Sequence, residues 1–166
     1  MKVLVTFGSK MGGTAGIAYV VGGVFADAGF DVSVVPADVA PDPAGFDAVV
    51  VGGAVYASRW HPDARRFVAR HAASLATRPV WFFSSGPLDD DATEREIPPP
   101  HHVAVWIRRI GVRDHLTFGG RLLPEARGLF AHELAKHAAG DWRDMVQVRS
   151  WARGIAAALE PAGLAR

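Results

Sequence analysis

Apolar positions along the chain fall into two alternating rhythms. Short, nearly continuous apolar runs occur at 3–7 (Val3, Leu4, Val5, Thr6, Phe7), 32–35, 47–53, 79–84 and 115–120. Runs of this kind are expected of strands covered on both faces, as in a parallel sheet. Between them the apolar spacing widens to three or four residues. Ile17, Val20, Val21 and Val24 or Phe25 predict a helix over 14–28 that ends at Gly29. Pro62 opens a second helix, which runs through Phe67, Val68 and His71 to about 75. Val103, Trp106, Ile107 and Ile110 predict a third over 102–110, and Leu129, Phe130 and Leu134 an additional one over 124–138, after the fifth strand. The last helix turns Val148, Trp151, Ile155 and Leu159 inward and opens on Asp144-x-x-Gln147, a capping-box pattern. Pro41, Pro43 and Gly45 make 38–46 a loop, and Asp89, Asp90 and Asp91 with Pro98, Pro99 and Pro100 mark a long exposed connection. Strands alternating with helices predict an α/β fold: a doubly wound parallel sheet with helices on both faces, in one domain over 1–166.

Length and charge narrow the possibilities. The 166 residues suffice for one domain with a sizeable core, and a formal net charge of +1 is too balanced for nucleic-acid binding as a main role. The charge is uneven. Up to Ser58 the cationic side chains are Lys2 and Lys10, against Asp27, Asp31, Asp38, Asp42 and Asp47; afterwards come Arg59, Arg65, Arg66, Arg70, Arg108, Arg109, Arg113 and Arg121. Cysteine is absent, which removes disulfides, thiolate catalysis, iron–sulfur clusters and Cys-zinc sites together. The N-terminus runs into a strand without a cleavage pattern, and no apolar run is long enough to span a bilayer. The expected location is cytoplasmic, at most peripheral to the inner face of the membrane.

Candidate chemistry begins at Phe7-Gly8-Ser9-Lys10-Met11-Gly12-Gly13-Thr14, between the first strand and the first helix. Backbone N–H groups at a helix start, with the positive end of its dipole, make an anion site. A Walker A loop is excluded, because Thr14 stands where its lysine must be; a dinucleotide fingerprint is excluded, because Lys10 replaces its second glycine. What remains is Ser9-x-x-Gly12-x-Thr14, a hydroxyl-bearing loop suited to one terminal monophosphate. An unliganded glycine-rich turn is the other reading.

This loop resembles the phosphate loop of flavodoxins, a family that binds flavin mononucleotide (FMN). The resemblance implies a five-stranded sheet in the order 2-1-3-4-5, a three-layer α/β/α sandwich, and FMN with its phosphate at Ser9, Lys10, Met11, Gly12, Gly13 and Thr14. It further implies an isoalloxazine between two other loops. Ala54, Val55, Tyr56 and Trp60 belong to the first, where Tyr56 or Trp60 offers a stacking ring. Ser84, Ser85 and Gly86 belong to the second, which offers backbone donors. Val49-Val50-Val51-Gly52-Gly53-Ala54-Val55, His61-x5-Phe67-Val68-x2-His71, Gly119-Gly120-Arg121-Leu122 and Val148-x2-Trp151-Ala152-Arg153-x-Ile155-Ala156 are similar to the bacterial menaquinone-dependent protoporphyrinogen IX dehydrogenases. That branch implies an oxidoreductase with a porphyrinogen-like substrate and a quinone acceptor. A one-electron carrier and a flavin-free binding domain are the alternatives.

Other constellations carry less. His132-Glu133-x3-His137 has one residue too many for the zinc helix that needs histidines at i and i+4, and no metal site is expected. His101-His102 reads as a helix start, and His61 as either a helix start or a donor in the site. Neither Ser9 nor Ser58 lies in a nucleophile motif. Arg65, Arg66 and Arg70 share one helix as a solvated face or a docking patch.

Overall fold

The computed structural model describes residues 1–86, 94–122 and 140–160. In chain order the strands are β1 (Lys2–Gly8), β2 (Asp31–Pro36), β3 (Ala48–Tyr56), β4 (Arg59–Trp60), β5 (Val80–Ser85) and β6 (Asp114–Phe118). The sheet order is β2-β1-β3-β5-β6, parallel throughout, with β4 attached antiparallel to the end of β3. Setting the two-residue β4 aside, this is the expected 2-1-3-4-5 arrangement.

The strands are apolar on both sides because both sides are covered. Val3, Val5 and Phe7 of β1 point to the face taken by α1 (Gly13–Asp27) and packed with Ile17, Val21 and Phe25. Leu4, with Val49 and Val51 of β3, points to the other face, against Phe67 and Val68 of α2 (Pro62–Leu75) and Val103 and Ile110 of α3 (His101–Ile110). The last helix, α4 (Met145–Leu159), lies beside α1 and buries Val148, Ile155 and Leu159. Its Trp151 packs edge-on against Phe118 and donates from Nε1 to Asp114 Oδ2 at 2.8 Å, tying the helix to β6. Gly29 ends α1 as expected: Phe30 N–H reaches Phe25 O and Gly29 N–H reaches Ala26 O, the paired bonds of a Schellman cap.

Several expectations change. β3 does not stop at Gly53 but continues to Tyr56 and folds back as a hairpin, Val55 opposite Trp60 and Tyr56 opposite Arg59. The two turn residues, Ala57 and Ser58, have φ of 46° and 60°. Neither is the Gly, Asn or Asp that usually marks such a turn, so the hairpin was hidden. Within the expected 38–46 loop, Pro43–Gly45 forms a 3-10 turn under an Asp42 cap. The capping box is half made. Asp144 Oδ1 accepts from Val146 and Gln147 N–H at 2.9 and 3.1 Å, while Gln147 Oε1 is buried without a partner among the described residues. The fifth parallel strand ends at Phe118, and the chain makes a small hairpin of β7 (Arg121–Leu122) with β8 (Gly140–Asp141). The helix expected over 124–138, with His132 and His137, lies outside the described residues, as do Asp89, Asp90 and Asp91.

Left-handed backbone costs a residue with a side chain about 1–2 kcal/mol. Replacing Ala57-Ser58 by Asn-Gly is therefore expected to raise stability by about 1 kcal/mol or more. Chemical denaturation would measure it, and an unchanged or lowered midpoint would contradict the turn geometry.

Candidate functional site

Winding reverses between β1 and β3. The helix that follows β1 packs on one face of the sheet and the helix that follows β3 on the other, so their connections part at the carboxyl ends of the strands. Ligands of open α/β sheets lie in that gap. Here it holds a cavity of about 750 Å³, within the range of small-molecule sites.

The β1–α1 loop makes one wall. Gly12 adopts a left-handed conformation (φ 77°), and its N–H donates to Ser9 Oγ at 3.1 Å. No side chain caps α1 and no acidic residue stands in its first turn. The N–H groups at its start are thus left for a ligand, beside the buried Thr14 hydroxyl. Tyr56, 41 % exposed, closes another side. Burial raises its phenol above the ordinary value of 10.0, opposed by a hydrogen bond with the Lys10 backbone. His61 caps α2, its Nδ1 accepting from Asp63 N–H at 3.3 Å, and also reaches the cavity. The helix-start role is thus filled, and the side chain also borders the cavity. The remaining wall comes from Ser85, Gly86 and the β6–β7 connection.

Of the expected site residues, all but Gly12, Trp60 and Ser84 line the cavity. Gly12 turns the loop through its left-handed conformation. Trp60 is 3 % exposed, and its indole packs on Phe82 with centroids 5.1 Å apart. A Cβ on Gly53 would collide with that ring, so the glycine is required for the indole to lie beneath the strand. Trp60 is therefore placed as core, and Tyr56 alone keeps the position of a stacking ring. Ser84 is fully buried: Trp60 Nε1 donates to its Oγ at 2.8 Å, and the same hydroxyl shares a hydrogen bond with His115 Nε2, also at 2.8 Å. Sequence reading missed Ala57, Pro62, Gly120, Arg121 and Leu122 as cavity residues. Nothing local places residue 121 beside residue 12, and no signal in the sequence pointed there.

Lys10 and Arg121 line the cavity, and no carboxylate among the described residues does; most of the remaining lining is apolar. The arrangement fits a largely flat apolar molecule carrying an anionic end.

The sequence profile of the flavodoxin domain matches residues 4–138. The chain belongs to the flavodoxin domain family. Solved flavodoxins share the fold: oxidised flavodoxin 1 from Bacillus cereus aligns over 96% of this chain and 100% of its own at 14% identity, with a TM-score of 0.65. A point mutant of the Pseudomonas aeruginosa flavodoxin aligns over 97% and 100% at 18% identity, with a TM-score of 0.62. The rubredoxin oxygen:oxidoreductase of Desulfovibrio gigas aligns over 95% of this chain but 36% of its own, at 16% identity and a TM-score of 0.62. No curated protein matches by sequence.

The cofactor of flavodoxin domains is FMN, and the residues of this flavodoxin domain fit it. The uncapped helix start and loop hydroxyls offer donors to a phosphate, Tyr56 offers a ring face, and Arg121 brings a buried Nε with no partner among the described residues. No helix among those residues is long and apolar enough to cross a membrane.

Desolvation lowers the His115 imidazole from 6.5 to about 4, against smaller raising effects from Asp114 and its own backbone, so it is neutral in the folded protein. The unfolded chain binds a proton on His115 below 6.5 that the folded chain refuses. Stability from this group is present at neutral pH and lost as pH falls from 6.5 through about 4. The loss is on the order of 3 kcal/mol at most. Urea denaturation across that range should show it, and His115→Asn should flatten the profile; an equal slope in the variant would contradict the assignment.

Proposed function

We propose that this flavodoxin domain is an FMN-dependent oxidoreductase that takes reducing equivalents from an anionic organic substrate and delivers them to a quinone. Bound flavin supplies the redox chemistry; the protein orients it and controls its surroundings. Ser9 and Thr14 hold the phosphate end, Tyr56 covers the ring, Ala54 and Val55 exclude water, and Ser85 and Gly86 bound its polar edge.

The observation that carries the substrate reading is a second groove, of about 490 Å³, which shares Pro62 with the main cavity. Arg59, Arg65 and Arg66 line it, with Trp106 and His102. His102 is held below the ordinary histidine value by desolvation first and then by the charges of Arg65 and Arg59, so the groove remains positive without it. Arg66 pairs with Asp63, whereas Arg59 and Arg65 have no ion pair among the described residues. Guanidinium groups beside an aromatic wall suit the carboxylates of a porphyrinogen-like molecule and the flat ring of its oxidised product. The same arginines suit an anionic membrane surface on the cytoplasmic side, where a quinone dissolves.

A second reading has its own support. Alignment over nearly the whole chain with small flavodoxins fits a stand-alone electron carrier. The two separate on turnover. Protein loaded with FMN and mixed with protoporphyrinogen and a soluble menaquinone analogue should develop porphyrin fluorescence. Absence of turnover, with two widely separated midpoint potentials in a reductive titration, would overturn the oxidoreductase reading in favour of the carrier. Failure to retain FMN would favour a binding domain. Tyr56→Ala should raise the FMN dissociation constant by about three- to tenfold if the ring is covered by Tyr56. An unchanged constant would move the ring elsewhere.

A further inference from the structure

We propose that Arg121 is the specificity-determining residue that makes this domain select a phosphorylated flavin, by pairing with the terminal phosphate alongside the β1–α1 loop. The inference rests on the FMN reading above and adds to it a cation from a distant part of the chain.

Position comes first. β7 lies across the start of α1. A Cβ on Gly13 would come within 3.3 Å of Arg121 Cβ and 3.4 Å of its backbone nitrogen, and a Cβ on Gly12 within 3.0 Å of Arg121 Nη2. The two glycines therefore serve Arg121 as well as the loop: they let a guanidinium lie directly against the anion site. Arg121 lines the main cavity and is absent from the second groove.

Unmet bonding comes second. A guanidinium has five N–H donors in a fixed fork. Among the described residues, Arg121 Nε is buried with no partner, and Nη2 reaches only Met11 O, at a long 3.5 Å. The carboxylate whose proton affinity it lowers, Asp141, is taken by another arginine: Arg143 Nε donates to Oδ1 at 2.7 Å and Nη2 to Oδ2 at 2.5 Å. Arg143 Nη1 also donates to Gly13 O at 3.2 Å. Arg143 thus pins the hairpin to α1, and Arg121 keeps its charge free, with no ion pair among the described residues. A buried donor left without an acceptor is costly, and an anion in the cavity would supply the acceptor.

Chemistry comes third. Loop N–H groups and hydroxyls bind a phosphate by neutral donors, whereas a guanidinium binds it as a charge-assisted fork. Lys10 is exposed at the rim and is the weaker candidate for this role. Selection carried by Arg121 must depend on the phosphate and on salt, and not on the flavin ring.

The test is a flavin titration of the full-length protein, with FMN and with riboflavin, at two salt concentrations. Arg121→Gln should weaken FMN about ten- to a hundredfold, leave riboflavin unchanged, and reduce the salt sensitivity of FMN binding. Arg121→Lys should recover part of the lost selectivity, and it serves in place of the glutamine variant if that variant does not fold. Arg149→Gln, which removes an exposed cation of α4 that lines neither cavity, should leave the FMN-to-riboflavin ratio at the wild-type value. Equal losses for both flavins in Arg121→Gln, or no loss, would overturn the proposal. Wild-type protein that binds neither flavin would reject the FMN reading itself. Arg121 would then be judged by inorganic phosphate, whose stabilisation of the wild type against heat should vanish in Arg121→Gln, and persistence there would overturn the role.

Discussion

The site depends on one packing constraint: β1 and β3 are hydrogen-bonded neighbours whose following helices must cover opposite faces of the sheet. Each strand is apolar on both sides, so leaving either face bare would expose the Val, Leu and Phe side chains that hold the layers together. Satisfying both faces forces the connections after Gly8 and after Tyr56 apart. The opening at their base is the cavity, lined by the residues where these connections leave the sheet and by β7.

Charge within the opening follows from backbone direction before any side chain is considered. The start of α1 points into the cavity with its N–H groups uncapped, so the site is electropositive even where the lining is apolar. The β7–β8 hairpin strengthens this by bringing Arg121 over the loop, while Asp141 is neutralised by Arg143. A carboxylate at the start of α1 would stabilise the helix in isolation, and its absence fits a site kept for another anion.

Trp60, Ser84 and His115 form a buried polar chain within the sheet beside the cavity. Each carries polar atoms inward, and each is satisfied by the next. The chain of bonds crosses from β4 through β5 to β6 and ties the three strands together. This also explains why an indole in a loop beside the site is not a stacking ring: its N–H is already committed inward.

The alternation of apolar runs determined the strands, the helices and the parallel sheet, because burial on both faces writes itself directly into local hydrophobicity. The Ser9–Thr14 loop was legible for a similar reason: a turn that must bring backbone N–H groups together needs glycines and short hydroxyls at fixed spacing. The Ala57-Ser58 hairpin, the buried Trp60 and the reach of Arg121 to Gly12 were decided by tertiary structure alone. A left-handed turn without glycine carries no compositional mark, and an aromatic side chain near a site has the same sequence signature whether it points into the ligand or into the core. The meeting of residues 12 and 121 depends on where β6 ends and how β7 returns across the sheet, which is a property of the assembled layers and not of any segment.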